Sequence, residues 1–440
     1  MADAWRLIPR VGVASLSSPL EVGADRAPKA ADDLAAVLQK AGCDVVRLGP
    51  IGNPDQSAAA GRRLAEAHVD AVAFAVASWF EDYLVLDLME ECRVPMLFRP
   101  LPGMETGALC GTQQLTAFLR ALSSSSACVF GSADDRECLD RGMTFLRGAA
   151  LQSRLRRCRV GIAGHHLNGM THTAPNEFAL KRAIGPRLVW LDLPILLKRA
   201  AEAPEAEARE RWARLRTRAA ACDVAEAEGI DSMRVYSALR EAVGRHGLNA
   251  LTVGCYPHLM GRVCLAASLL TDEGIVMACE GDAHGAIGQY LLHLLTGQPT
   301  HNTDWLDPVD GNSVVFTHCG SGSLSLAADP KDIRFASVRL MGQGACALFP
   351  ARPGPVTLVN LTVHGDGYQC GLLEAESVPT GMVFPGNPLC ARFRRSVAEL
   401  IDWIHDTGLG HHWMIGYGHV GREIRHWAAM AGVGLRLIEP

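Results

Sequence analysis

The chain has 440 residues, 48% hydrophobic and 20% charged, with 42 basic against 47 acidic side chains and a formal net charge of -5. That balance fits a globular protein of two or three domains and provides no basic surface for nucleic acid or an anionic membrane. The apolar runs are strand-length, short of the ~20 residues of a membrane span. Met1 to Arg10 has no signal-peptide core, and the 14 cysteines form no C-x-x-C pair, so a cytoplasmic protein with reduced thiols is expected.

Residues 10–135 alternate strand-like and helix-like text. Val11-Gly12-Val13-Ala14, Asp44 to Leu48, Ala71 to Val76 and Pro95 to Phe98 read as strands. Helices are expected over Ala30–Ala41, Ser57–Ala67, Tyr83–Glu91 and Gln113–Leu122. Continuous apolar strands alternating with helices predict a doubly wound parallel sheet. The pattern restarts at Arg159 to Gly164, after the basic helix Gly142–Arg157. Leu188-Val189-Trp190-Leu191, Ala250 to Val253 and Ile275 to Ala278 are its further strands. Residues 195–248 read as long helices, and another helix runs from Gly285 to Leu295.

Beyond Pro299 the text turns to short β-rich runs: Val314 to Thr317, Arg334 to Leu340, Pro355 to Val363 and Gly371 to Val378. Gly, Pro, Asp and Asn separate them, as in an antiparallel sheet or barrel. Helices over Arg394–Thr407 and Gly421–Ala431 and strands at Trp413 to Ile415 and Leu435 to Ile438 complete the chain. The expected architecture is two Rossmann-like α/β domains, residues 1–157 and 158–300, followed by a β-rich domain, residues 301–440.

Three polar segments interrupt the apolar runs of the second half: Cys279-Glu280-Gly281-Asp282-Ala283-His284-Gly285, Thr303-Asp304-Trp305 and Gly410-His411-His412-Trp413. Carboxylates and imidazoles gathered from separate segments suit a hard divalent cation such as Mn2+ or Mg2+. Glu280 follows an apolar strand, where open α/β sheets bind ligands. Asp282 reads as the cap of the next helix or as a group supporting a ligand. Asp304, with Asp307 and Asp310 nearby, reads by itself as part of a solvated loop; as a ligand, it would be shielded from water by Trp305. Adjacent histidines on an extended segment point to opposite sides, so one of His411 and His412 would reach an ion. His318 precedes a flexible Cys-Gly-Ser-Gly stretch and is either a buried core histidine or a sugar contact. His165, His166 and His172 either line the cleft or lie exposed. Trp79 either stacks on a sugar or packs in the core. Gly161-x-x-Gly164 lacks the third glycine of a dinucleotide fingerprint.

These segments resemble the L-fucose/L-arabinose isomerase superfamily. Glu280-Gly281-Asp282 before Gly285-Ala286 is similar to that family's metal-glutamate segment, and Asp304 follows 24 residues later, as the second carboxylate does in the fucose branch. Gly408 to Trp413 with Tyr417-Gly418 resembles the last metal-ligand segment. Phe316-Thr317-His318-Cys319 resembles a histidine segment of the arabinose branch, and Gly107 to Gln114 resembles N-terminal family text. The chain departs from the pattern at Val253-Gly254-Cys255, where many relatives carry a lysine before the cysteine.

The resemblance implies an aldose–ketose isomerase acting through a cis-enediol, with Glu280 and Asp304 as the acid/base pair. It implies Glu280, Asp304 and His412 as ligands of Mn2+ or another divalent cation such as Mg2+ or Co2+. His318, His411, Trp79 and Gln113 are then sugar contacts, and the assembly a homo-oligomer, trimeric or hexameric. A different metal-dependent reaction (epimerisation or aldol-type cleavage) on a modified, for example sulfonated, sugar is the alternative. So is a sugar-binding protein without catalysis.

Overall fold

The structure is a computed structural model that describes residues 5–131 and 135–438. Residues 1–4, which begin the segment read for a signal-peptide core, lie outside that description. The chain divides into two compact units: Leu7–Arg154 joined by Arg422–Ala431, and a larger one built on Leu155–Gly421.

The smaller unit holds five parallel strands, β1 (Arg10–Leu16), β2 (Asp44–Ile51), β3 (Ala71–Val76), β4 (Met96–Pro100) and β5 (Ser126–Cys128), in the order β2-β1-β3-β4-β5. The central strand β3 is buried at all six positions. Its alternate residues enter different cores, Val72, Phe74 and Val76 with Leu64, Leu88 and Leu115, and Ala71, Ala73 and Ala75 with Leu34, Leu38 and Leu146. Period-two alternation thus serves two apolar faces, which is why the strand text is continuously apolar. Within this unit Arg147 of helix Arg136–Arg157 pairs with Glu423 at 2.9 Å.

The larger unit begins with β6 (Arg159–Ala163) and β7 (Arg187–Leu191). It continues with β8 (Ala221–Cys222), β9 (Ala250–Val253) and β10 (Val276–Ala278). Four of these form a parallel sheet in the order β10-β9-β6-β7. Its core joins Leu251, Val253 and Met277 to Leu196, Leu239 and Leu270 of the flanking helices.

The remaining strands are β11 (His301–Pro308), β12 (Ser313–Thr317), β13 (Arg334–Val338), β14 (Gln343–Leu348), β15 (Gly354–His364), β16 (Gly367–Val378), β17 (Leu389–Arg392), β18 (His412–Tyr417) and β19 (Gly434–Leu437). Seven of them run β15-β18-β11-β12-β17-β16-β19. Because β16 also pairs with β15, six antiparallel strands close into a barrel. The expected combination of helix-flanked parallel sheets and a β-rich region is therefore present.

One expectation is corrected. Residues 301–308 read as a loop because of their Asp and Pro, yet they form β11. Its backbone is paired on both sides, with β18 and β12, so neighbours distant in sequence supply the ladder that local propensity does not suggest. Strand alternation also turns Trp305 away from its neighbour. It packs with Phe316, Phe393 and Trp413, and the Asp304 side chain stays 30% exposed.

Candidate metal and sugar site

Glu280 stands in the turn between β10 and helix Ala283–Thr296. Its φ is +62°, a left-handed conformation costly for a residue with a side chain. Neighbouring strand ends hold it there. The Gly281 N–H donates to the Val253 carbonyl at 3.0 Å, the Leu167 N–H donates to the Glu280 carbonyl at 3.0 Å, and the Thr252 hydroxyl donates to the Cys279 carbonyl at 3.1 Å. Gly281, at φ +71°, cannot be replaced freely, because a Cβ would lie 2.3 Å from the His165 carbonyl oxygen.

Asp304 and His412 come together by register. They are direct partners across β11 and β18, so their side chains share a face. His412 is 4% exposed. Its Nδ1 is hydrogen-bonded to Asp282 Oδ2 at 2.9 Å, which leaves Nε2 as the second ring nitrogen. Nε2 lies 3.2 Å from Glu280 Oε2 and 3.4 Å from Asp304 Oδ1, but neither contact has hydrogen-bond alignment. A buried imidazole nitrogen and two carboxylate oxygens thus face one point without satisfying one another. Asp282 stands at the N-terminus of its helix but makes no capping bond and turns to His412, so its supporting reading is the one the contacts match.

The ligand atoms gather in two groups, each within 4.8 Å: Glu280, His318 and His412, and Asp304, His411 and His412. Among the described residues no such group contains Glu280 and Asp304 together. His412 is shared, and one ion bridging both carboxylates requires a side-chain adjustment. Oxygen and imidazole donors of this kind are able to hold a divalent cation.

His318 is buried, with Nδ1 3.0 Å from Cys319 Sγ and its ring 6.0 Å from that of His412. His411 is half exposed, 3.9 Å from Asp304 Oδ1, and its ring lies 5.2 Å from that of His172. Of the three upstream histidines, then, His172 reaches this neighbourhood. The sequence reading missed Asn360, whose Nδ2 donates to the His412 carbonyl at 2.6 Å and the Gly410 carbonyl at 3.0 Å, clamping the turn before β18. An asparagine inside an apolar β-run was its only signal. Trp79 and Gln113 belong to the smaller unit. There the Trp79 indole N–H donates to Gln114 at 3.2 Å, and Gln113 is exposed on helix Ala108–Ala121.

The electrostatics follow from burial and mutual charge. Burial opposes ionisation of Glu280, but His412 and His318 outweigh it and hold its pKa below the usual range. Asp282 behaves likewise, burial being overcome mainly by His412. Burial also opposes charge on His412, and the carboxylates of Asp282 and Glu280 raise its pKa to about 9. His318 is raised well above its ordinary value despite burial, by its neighbours Cys319 and Asp304. His411 is lowered by burial and by His412.

Glu280, Asp304 and His318 line one open cavity of about 130 Å³, smaller than the roughly 300–1,000 Å³ of typical small-molecule sites. Most of its other wall residues are apolar.

No protein-family model matches the chain. A sulfoquinovose isomerase of Alkalicoccus urumqiensis is 23% identical over 378 residues, covering 81% of this chain and 83% of its own. One from Priestia megaterium is 24% identical over 373 residues, covering 81% and 82%. One from Clostridium sp. (strain MSTE9) is 23% identical over 337 residues, covering 74% and 75%.

Proposed function

We propose that this chain is an aldose–ketose isomerase that binds a divalent cation, Mn2+ in the first place with Mg2+ or Co2+ as substitutes, and that its substrate is a sulfonated aldose of the sulfoquinovose type. The reaction class and the sugar are supported by the names of the relatives, which align over about four-fifths of the chain. The observation that carries the site is His412. Asp282 fixes one ring nitrogen, and the other is buried, facing Glu280 and Asp304 without a hydrogen-bond partner.

Isomerisation moves a proton between C2 and C1 and another between the adjacent oxygens. A bound divalent cation supplies electrophilic stabilisation of the negative oxygen that develops on the way. Glu280, held ionised and 15% exposed, takes the proton from C2 and returns it to C1 of the cis-enediol. Asp304 serves the proton shift between O1 and O2. His318, with its raised pKa, donates a hydrogen bond to the oxygen that gains charge, and His411 contacts the sugar at the open edge. Glu280, Asp304 and His412 would hold the cation, with Asp282 orienting His412.

The proposal extends to the setting. The chain is read as three domains, an N-terminal domain of 1–157 followed by 158–300 and 301–440. All 14 cysteines are free thiols, which fits the cytoplasm. Trp79 and Gln113 are kept as sugar contacts within a homo-oligomer, trimeric or hexameric.

The test is incubation of the Mn2+-loaded protein with sulfoquinovose in D2O, followed by NMR. The expected result is the ketose together with deuterium incorporation from solvent. Exchange at C2 with only a C2 epimer formed would make the protein an epimerase, and binding without exchange would remove catalysis altogether.

A further inference from the structure

The cavity that holds Glu280, Asp304 and His318 carries a cation of another kind at its wall. Arg339 is the only Lys or Arg among the described residues lining it. The strand β13 ends at Val338, which is anchored in a small core with Met260, Cys264 and Cys346. The next residue, Arg339, leaves on the turn closed by the Gly342 N–H donating to the Val338 carbonyl at 2.8 Å. The guanidinium carbon sits 4.9 Å from the ring centroid of Phe384, another wall residue. Ring stacking fixes one face of the guanidinium and leaves its N–H edges open.

Those edges meet no acid. Arg334, on the same strand, pairs with Asp223 at 3.4 Å, and Arg262 forms a two-point pair with Asp231. Among the described residues Arg339 pairs with no carboxylate. The cavity lining therefore combines the carboxylates of Glu280 and Asp304 and the imidazole of His318 with a guanidinium that, among the described residues, has no acid partner, and with apolar side chains such as Met260 and Leu306. A neutral aldose gives that guanidinium nothing to bind beyond hydroxyls. A tetrahedral oxyanion on the sugar gives it a planar, two-point hydrogen-bond partner.

We propose that Arg339 is the specificity-determining residue that reads an anionic substituent, sulfonate or phosphate, on the end of the sugar remote from C1 and C2. The orientation of the sugar rests on the isomerase reading above, which places C1 and C2 at Glu280 and Asp304. The contact between Arg339 and the anion does not depend on turnover.

The test uses the full-length, Mn2+-loaded protein with R339A and R339K, and three sugars: sulfoquinovose, glucose 6-phosphate and glucose. Calorimetric binding and kcat/KM are measured for each. R339A is expected to cut the preference for sulfoquinovose over glucose by about 10–100-fold, the worth of a charged hydrogen-bonded contact. R339K should fall between R339A and the unaltered protein, since it keeps the charge and loses the fork. The tighter of the two anionic sugars in the unaltered protein identifies the anion as sulfonate or phosphate. An unchanged preference in R339A would overturn the assignment, as would an unaltered protein that binds glucose as tightly as both anionic sugars. Unaltered protein that binds sulfoquinovose through Arg339 but never isomerises it removes the isomerase reading and leaves the anion contact standing. Isomerisation undisturbed by R339A does the reverse.

Discussion

The parallel sheet and the barrel of the larger unit deliver their side chains to the candidate site by different means. Glu280 sits in a left-handed turn after the edge strand β10, whereas Asp304 and His412 sit inside paired strands, opposite one another by register. A ladder position moves only if its strand slips, and a one-residue slip would turn the side chain to the other face. A turn residue moves with a few dihedral angles. Strand pairing thus supplies the rigid half of the site; in the other half three hydrogen bonds hold the turn, so adjustment is left to the Glu280 side chain. Since, among the described residues, Glu280 and Asp304 do not share one tight group of ligand atoms, a single cation held by both would require the Glu280 side chain to move more than the strands.

Four experiments test this contrast. The largest effect is expected from Glu280→Gln, which keeps size and removes the base. kcat should fall by about 10²–10⁴-fold, with Mn2+ binding weakened and the melting temperature little changed; retention of both activity and Mn2+ affinity would take Glu280 out of the site. Asp282→Asn touches the rigid half indirectly, by loosening the ring of His412. Mn2+ affinity by calorimetry should drop by about 10–100-fold, and an unchanged affinity would make the Asp282–His412 contact purely structural. Gly281→Ala attacks the turn. Positive φ and the close His165 carbonyl should cost about 1–3 kcal/mol in denaturant unfolding. A neutral result there would mean the turn is not under the constraint its geometry describes.

The fourth is a pH profile. The metal-free His412 has a pKa raised to about 9 from 6.5, so its protonated form contributes stability that is fully present below pH 6.5 and is lost as pH rises through 9. A cation at Nε2 must displace that proton. Mn2+ affinity should therefore climb by up to about tenfold per pH unit between 6.5 and 9 and then level off. A flat profile across that window would place the ion away from His412.

Much of this molecule is legible residue by residue. The continuous apolar run Ala71 to Val76 announces a strand covered on both faces, and the Gly and Pro punctuation beyond Pro299 announces short antiparallel strands. The place of Glu280 at the end of an apolar strand is legible too, because an acid closing such a run is either a cap of the next helix or a ligand-facing group. Asp304 was misread locally: Asp, Trp and Pro in close succession resemble a turn, and only pairing with β18 and β12 makes the segment a strand. Asp282 resembled a helix cap because its acceptor role toward His412 lies 130 residues away. Asn360 carries only the faint signal of an amide inside an apolar β-run and Arg339 carries none, since their roles are set by what other strands bring beside them.

The helix-flanked parallel sheets, the β-rich region after them and the residue types available to bind a hard cation are therefore written in local sequence, because periodicity and donor chemistry are local properties. Only the folded chain shows which of two adjacent histidines turns a nitrogen toward both carboxylates, that Asp282 supports it, that the ligand atoms divide into two groups sharing His412, and that an arginine with no acid partner among the described residues shares the cavity of Glu280, Asp304 and His318. Those outcomes depend on strand register and on turns packed against distant carbonyls, distances that no window of sequence contains.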